Sequence, residues 1–429
     1  MVYKPIYILI LLFTIVIDYF AGLLIEKIKN KTIKKKFLIV SLIANIGILA
    51  FFKYYNFLNE QLTFLTTIFK VKNNIPYLNI ILPIGLSFHT FQAMSYTLEV
   101  YRGNQRAEKH FGVYALYVMF YPQLVAGPIE RPQNILHQFH EKKLFNFENL
   151  FLGIKQIIFG LFKKIVIADR LSSYVDSVYS QVDNSNSISV FIAIVFFSFQ
   201  IYCDFSGYSD IALGSARVMG FDLMKNFNNP FTSQNITEFW RKWHISLSTW
   251  FNDYLFTPLV IKFRDLGISG IALSLLITFA ISGLWHGAGW TFIIYGLLHG
   301  LALVYEIFTK KKRKFLKDTI NPFFYQNLSI ILTFLFVSFS WIFFRSENIT
   351  MAFKIIKKLF SFTFTFNLTQ ISADLGPFNL LLSFLVLFLL KLIYNLYQSK
   401  KDTTFFVITI LLIIILGTNN AKNFIYFQF

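Results

Sequence analysis

Forty consecutive residues, from Leu266 to Tyr305, contain no Asp, Glu, Lys or Arg. As a single helix this stretch would run about 60 Å at ~1.5 Å per residue, twice the roughly 30 Å of hydrocarbon in a bilayer. The helix must therefore break, and His286-Gly-Ala-Gly289 is the natural place. His286 then lies at the middle of an apolar segment, where a polar side chain usually lines an interior cavity or a substrate path. A hydrogen-bonded structural histidine is the alternative interpretation.

The composition of the whole chain agrees with a membrane environment. Hydrophobic residues make up 55% of the 429 positions, charged residues 14%, and the mean hydropathy is +0.55. Such a chain is too apolar for an ordinary soluble protein. We expect an all-α fold: a polytopic transmembrane helical bundle with re-entrant and interfacial helices around a central tunnel. No internal repeat is evident, so residues 1–429 are expected to form one domain with about 9 to 11 membrane helices.

Ten apolar runs are candidate membrane spans. They are 6–25, 37–52, 80–100, 111–126, 188–202, 268–285, 288–305, 327–344, 379–396 and 404–417. Three other stretches are too polar for spans yet rich in aromatic residues, and we expect them to form interfacial or re-entrant helices: 142–170, 207–258 and 349–366.

The positive charge of the chain follows the ends of the apolar runs. A formal charge of +18 can indicate nucleic-acid binding, but the lysines and arginines form no single basic face. Their clusters at 27–36, 310–317 and 400–401 fit the positive-inside rule, and the span count places all three on one side, the cytoplasm. Lys354, Lys357 and Lys358 fall on the other side, which suggests an interfacial helix.

A second histidine lies in an aromatic and basic run, Phe239-Trp-Arg-Lys-Trp-His-Ile-Ser-Leu-Ser-Thr-Trp250. This run suits anchoring at a membrane interface. Two histidines beside one tunnel would instead supply a general base and an orienting partner, because imidazole titrates close to working pH. In a continuous helix His299 would lie about 20 Å from His286 and on roughly the opposite face, so one compact site would not use both.

Two carboxylates follow an apolar run at Asp204 and Asp210, with Ser206 between them. They either pair with Arg217 or Arg241 or shape the substrate path. The seven histidines have no metal-ligand spacing, and the single cysteine, Cys203, excludes an intramolecular disulfide and a cysteine-based metal site. No metal site is expected.

Several segments together resemble the membrane-bound O-acyltransferase family, in particular its bacterial branch of alginate and peptidoglycan O-acetyltransferase membrane subunits. These segments are LPIGLSFHTFQAMSYTLEVYRG at 82–103, FYPQLVAGPIERP at 120–132, FSGYSDIALG at 205–214, residues 227–259, residues 282–300 and FIYFQF at 424–429. Two positions depart from the branch: Asn252 replaces a common arginine, and residues 258–261 read Pro-Leu-Val-Ile instead of Pro-Leu-Gly-Gly. A leading apolar segment common in the family is also missing, which suggests a short form.

The resemblance implies a catalytic histidine inside a membrane tunnel, at His286, and a second important histidine, at His244. It also implies that an acyl group passes from a cytoplasmic thioester, acetyl-CoA in this branch, to a polysaccharide outside, often through an SGNH-type periplasmic or surface partner. No bound cofactor is expected, and membrane lipid is the surrounding partner. The residues expected to line the tunnel or bind substrate are Trp285, Trp240, Arg241, Trp243, Asp204, Ser206, Asp210 and His299.

The implied location is the bacterial cell membrane, the inner membrane where there are two, as a multi-pass protein. Three other interpretations stay open at this point. One is the related transfer of D-alanine to teichoic acid, the second is a transporter in which the histidines relay protons, and the third is a scaffold for polysaccharide export.

Overall fold

The computed structural model describes residues 7–361, 371–372, 376–418 and 424–425. Helices make up the regular structure of these residues, which confirms the all-α class. The described chain forms two compact units: one from residues 1–153 and 215–224, the other from 154–214 and 225–429. The helices that end before residue 140 belong to the first unit, and Asp169–Ser180 and the helices after residue 225 belong to the second. Helices Phe147–Leu161 and Ser187–Val218 have residues in both units.

The helices of the first unit begin and end at recognisable signals. Asn30 caps α2 by accepting hydrogen bonds from the backbone N–H groups of Thr32 and Ile33, and Gly103 ends α4 in the left-handed conformation, φ 81°. A π-helical turn, Ala50–Tyr54, joins α2 to α3. The bounds are α1 Tyr7–Lys27, α2 Lys31–Leu49, α3 Tyr55–Ile68, α4 Leu86–Arg102, α5 Phe111–Met119 and α6 Pro132–Phe139.

A buried polar contact lies between α1 and α2. The Asp18 carboxylate accepts hydrogen bonds from Ser41 Oγ at 2.6 Å and from Asn45 Nδ2 at 2.9 and 3.0 Å. All three residues are fully buried. Since a buried carboxylate is costly without such donors, these bonds explain how an acidic residue is accommodated inside an apolar helix.

The second unit contains the longer part of the chain. Its apolar core joins aromatic residues from many helices, among them Phe196, Trp243 and Trp341. The bounds are α7 Phe147–Leu161, α8 Asp169–Ser180, α9 Ser187–Val218, α10 Ile236–Lys242, α11 Ile245–Phe251, α12 Thr257–Lys262, α13 Gly267–His286, α14 Trp290–Phe308, α15 Lys310–Thr319, α16 Pro322–Arg345, α17 Ile349–Leu359, α18 Pro377–Gln398 and α19 Asp402–Leu416. π-Helical turns occupy Phe162–Ala168 and Asn252–Phe256.

Seven helical stretches of the described residues are long and apolar enough to cross a membrane, and the total of 9 to 11 membrane helices stays a prediction. These seven stretches are Tyr7–Lys27, Lys31–Ile68, Ser187–Val218, Arg264–His286, Trp290–Phe308, Pro322–Arg345 and Pro377–Gln398, with Asp402–Leu416 as a shorter apolar helix. Two of the candidate spans are helical over only part of their length. The run 80–100 becomes helical only from Leu86, and the run 111–126 contains a helix of nine residues. Leaving out these two runs together keeps an even number of predicted spans between the basic clusters, so the side predicted for them from the sequence does not change.

The three lysines that depart from the charge rule lie on α17, the short helix expected there. Lys354 forms an ion pair with Asp183 at 2.5 Å, and Lys358 donates a hydrogen bond to the Asp183 carbonyl at 3.1 Å. Local pairing therefore accounts for charge that the positive-inside rule does not. The rest of the expected interfacial stretch, 362–366, lies outside the described residues.

Candidate active site

The long uncharged stretch breaks where the sequence predicts. Helix α13 ends at His286, Gly287 and Gly289 are extended on either side of a bend, and α14 begins at Trp290. Gly287 is required there because a Cβ atom at this position would lie 2.1 Å from the ring of Phe292. The break thus turns the chain back on itself and leaves His286 at the closed end of a helical hairpin.

Two glycines let the helices of this hairpin touch through their backbones. A Cβ atom on Gly283 would lie 2.1 Å from the carbonyl oxygen of Phe292, and one on Gly296 would lie 2.0 Å from the carbonyl oxygen of Phe279. Glycine pairs of this kind permit close helix packing. The close approach fixes the backbone that carries His286.

Aromatic rings surround the His286 imidazole. The ring centroids of Trp285, Phe344 and Tyr295 lie at 5.1, 5.3 and 5.9 Å from it, and the rings meet it edge to face. His286 is 3% exposed. The site is therefore an apolar enclosure around one titratable group.

His244 lies beside this enclosure although it is 42 positions earlier in the chain. It is fully buried in the turn between α10 and α11, and its ring meets Phe205 at 4.6 Å and Trp285 at 6.1 Å. Burial lowers the pKa of His244 well below its usual value, and the nearby His286 lowers it further. Trp285 thus contacts both histidines, and burial favours the neutral form of the His244 imidazole.

His299 has different surroundings. Trp240 Nε1 donates a hydrogen bond to His299 Nδ1 at 3.2 Å, so Nε2 carries the proton and donates to Ser340 Oγ at 2.9 Å. Tyr295 contacts both His299 and His286, with ring centroids at 4.9 and 5.9 Å. The Tyr295 ring therefore separates His299 from His286, and His299 has two structural hydrogen bonds.

The carboxylates of α9 pair with lysines, not with Arg217 or Arg241. Asp204 lies 2.7 Å from Lys164 and accepts a hydrogen bond from the backbone of Ile425, while Asp210 pairs with Lys163. Lys163 also donates to Ser206 Oγ at 3.0 Å. These residues form a largely buried polar network on the helix that carries Phe205, the ring that contacts His244.

Lys163 and Lys164 are not among the site residues predicted from the sequence. The signal that points to them is a pair of charged residues inside the apolar run 157–167. Both lysines lie in the π-helical turn Phe162–Ala168 and reach α9, where Lys163 pairs with Asp210 and Lys164 with Asp204. Close packing of Gly160 on Gly207 brings the two backbones together.

A cavity of about 570 Å³ lies between α10, α11 and the α13–α14 hairpin. Among the described residues, the walls of this cavity include Trp240 and Arg241 but neither His244 nor His286. Thr278 and Ser282 line it and precede His286 by two turns and one turn, so the three side chains share one face of α13. The cavity therefore follows a hydroxyl-bearing face that leads towards His286.

Trp243 is placed in the core of the second unit. Its ring packs on Phe227 at 5.1 Å, on Phe239 at 5.5 Å and on Trp341 at 5.0 Å. Within the described part of the chain no group of three His, Cys, Asp or Glu side chains is arranged to hold a metal ion.

Comparison with known proteins gives a consistent result. Residues 49–353 match the family described as MBOAT, membrane-bound O-acyltransferase family, and this range contains both histidines. The chain is 34% identical to "Peptidoglycan O-acetyltransferase" of Helicobacter pylori over 386 residues, covering 82% of this chain and 69% of that protein. It is 35% identical to "Probable alginate O-acetylase AlgI" of Pseudomonas aeruginosa over 393 residues, covering 89% and 72%. It is 31% identical to "Teichoic acid D-alanyltransferase" of Bacillus subtilis over 282 residues, covering 63% and 70%.

Proposed function

The chain belongs to the membrane-bound O-acyltransferase family, and on that premise we propose that it transfers acetyl groups to hydroxyl groups of an extracytoplasmic polysaccharide. Its apolar helices make it a multi-pass membrane acyltransferase. The observation that carries the proposal is the pair of buried histidines, His244 and His286, joined by Trp285 inside the matched range.

Two relatives favour acetyl transfer over D-alanyl transfer. The peptidoglycan and alginate proteins match 82% and 89% of the chain, whereas the teichoic acid protein matches 63% at lower identity. Peptidoglycan, alginate or another exopolysaccharide is accordingly the proposed class of acceptor.

His286 is the proposed general base. It removes the proton of an acceptor hydroxyl as the oxygen attacks the carbonyl carbon of a thioester. The carbon–sulfur bond then breaks, and the leaving sulfur takes the proton back from the imidazolium, which gives an ester, a free thiol and neutral His286. His244 orients the donor or the acceptor, and the surrounding rings exclude water that would hydrolyse the thioester.

The cavity beside α13 is the proposed site for the donor. Its volume of about 570 Å³ suits a small-molecule ligand. The apolar walls can contact the acyl chain of a thioester, and the hydroxyls of Thr278 and Ser282 can hydrogen-bond the amides of its long arm. Arg241, which is exposed at the same cavity, can bind a phosphate group. These features support acetyl-CoA as the donor substrate.

The remaining parts of the proposal concern direction and partners. We place the donor on the cytoplasmic side of the inner membrane, supported by the basic clusters on one side of the spans. An SGNH-type partner outside the membrane completes transfer to the polysaccharide, as the resemblance to this branch implies.

The decisive experiment is deletion of the gene followed by complementation with wild type or with His286→Ala. Base-released acetate is measured separately in peptidoglycan and in exopolysaccharide, with ester-linked D-alanine as a third readout. Wild type should restore acetate in one fraction, which names the acceptor. His286→Ala, present in the membrane at wild-type amount, should restore none.

His137→Ala is the matched control, because His137 is exposed on α6 and should not affect acetylation. Full acetate in the His286→Ala strain would overturn the role of His286. Restoration of D-alanine esters instead of acetate would overturn the proposed donor and identify the alternative branch of the family.

A further inference from the structure

The turn that carries His244 has an unusual backbone. His244 has φ 43° and ψ 53°, in the left-handed region, and separates two helices of seven residues each. Non-glycine residues are uncommon there and persist only where the surrounding structure holds them. The residues that hold this turn therefore determine where the imidazole lies.

His244 occupies the N-cap position of α11 but does not cap it. An N-cap side chain normally accepts a hydrogen bond from one of the first backbone N–H groups, as Asn235 does for α10 at 2.8 Å. The His244 ring instead packs on Phe205 and Trp285 and makes no capping bond. Another residue must satisfy the end of α11.

Asn226 supplies the missing cap from a different segment. Its Oδ1 accepts hydrogen bonds from the Ser246 backbone N–H at 3.3 Å and from Ser246 Oγ at 2.6 Å. Its backbone carbonyl accepts from Ile245 N–H at 2.9 Å. Asn226 is 1% exposed. One buried asparagine thus makes three contacts to the two residues that follow His244.

The same segment also holds the other side of the turn and the neighbouring helix. The backbone N–H of Asn228 donates to the carbonyl of Lys242 at 2.9 Å. Asn226 Nδ2 lies 3.5 Å from Ser209 Oγ, one helical turn along α9 from Phe205, the ring that packs on His244. Asn226 therefore ties the turn to the helix face against which the imidazole lies.

We propose that Asn226 is a positioning residue for acyl transfer: it caps α11 in place of His244 and so leaves the His244 imidazole beside Trp285 and His286. This inference rests on the proposed function, since it assigns Asn226 to the support of a residue in that site. It predicts that loss of the Asn226 side chain acts through His244.

A double-mutant cycle in the full chain tests this. Asn226→Ala, His244→Ala and the double variant are expressed in the deletion strain, and the initial rate of base-released acetate is normalised to the amount of protein in the membrane. Misplacement of a catalytic group by about 1 Å can cost on the order of 100-fold, so Asn226→Ala should lose about 10- to 100-fold. The double variant should acetylate no more slowly than His244→Ala, because without the His244 imidazole the Asn226 side chain has no group left to position.

Asn228→Ala is the matched control: the same change two residues away, at an exposed side chain whose backbone bond stays intact, should keep the wild-type rate. If Asn226→Ala does not accumulate, Ser246→Ala replaces it. This variant removes only the 2.6 Å hydroxyl contact, and a loss of about 2- to 10-fold is expected for one hydrogen bond. The loss should again vanish in the His244→Ala background.

The outcomes are distinct. A wild-type rate in Asn226→Ala, or a loss that adds fully to that of His244→Ala, overturns the inference while the proposed function stands. A wild-type rate in His244→Ala overturns both the inference and the role of His244. Absence of acetate in the complemented wild type would overturn the proposed function itself.

Discussion

His286 and His299 stand thirteen positions apart in one hairpin, yet the fold gives them different surroundings. Both ring nitrogens of His299 have hydrogen-bond partners, from Trp240 and to Ser340. The His286 ring lies among aromatic edges next to His244. The two hydrogen bonds of His299 tie it to Trp240 and Ser340 and indicate a structural role, whereas His286 lies beside His244, the other histidine of the proposed site. The position of His286 beside His244 fits the general base of the proposed function.

Another buried ionisable residue, Glu130 in the first unit, predicts a pH dependence of stability. Burial raises the pKa of Glu130 to about 7, above the ordinary value of 4.5, although Met224 N–H and Asn134 donate hydrogen bonds to it. The pKa of Glu130 is therefore higher in the folded protein than in the unfolded chain. The contribution of Glu130 to stability is full below pH 4.5 and is lost as pH rises through about 7. We expect wild type to lose on the order of 2 kcal/mol relative to Glu130→Gln between pH 5 and pH 8.

Thermal unfolding of the purified protein in detergent at several pH values measures this difference. Glu148→Gln, the same change at an exposed position, should follow wild type at every pH. Parallel curves for wild type and Glu130→Gln would contradict the assignment of the pH dependence to Glu130.

At the scale of elements, the α13–α14 hairpin depends on glycines that touch the opposite backbone. In Gly283→Ala the new methyl group would lie 2.1 Å from the Phe292 carbonyl oxygen, so the helices must separate. We expect a loss of about 1–3 kcal/mol or more, as for other overpacked sites. Acetylation should fall as well, because His286 lies at the end of the displaced helix.

Gly47→Ala provides the comparison for this prediction, since a Cβ atom there meets nothing within 4 Å. Alanine favours a helix over glycine by about 0.5–1 kcal/mol, so this variant should melt no lower than wild type. Equal melting temperatures for the two variants would show that the backbone contact at Gly283 does not limit how closely the helices pack.

At the scale of the whole molecule, the sequence predicts which loops share a side of the membrane. The clusters at 310–317 and 400–401 should be cytoplasmic, and the link between α16 and α17 should lie outside. Single cysteines can report this because the natural chain has one cysteine, buried Cys203, which Cys203→Ala removes. In intact cells a membrane-impermeant maleimide should label Glu347→Cys but neither Lys314→Cys nor Lys400→Cys.

All three positions are exposed, so permeabilised cells should label all of them and show that each cysteine can react. Labelling of Lys314→Cys and Glu347→Cys to the same extent in intact cells would contradict the predicted topology.

The sequence by itself determined the features that depend on local composition. Apolar runs predicted membrane helices, forty uncharged residues required a break, and glycines at His286-Gly-Ala-Gly289 marked its position. These features could be predicted because the length of an apolar run and the conformational freedom of a glycine depend only on the residues of one segment. Apolar composition does not show where a helix ends, since the apolar run 111–126 contains a helix of only nine residues.

Only the tertiary structure decided which polar residues meet. Asp204 and Asp210 pair with Lys164 and Lys163, which belong to another helical segment that packs closely on α9 at Gly160 and Gly207. His244 meets Trp285 because Asn226, distant in sequence, caps the helix that follows it. Such pairings depend on the packing of segments far apart in the chain, and the periodicity of one segment carries no information about its partner.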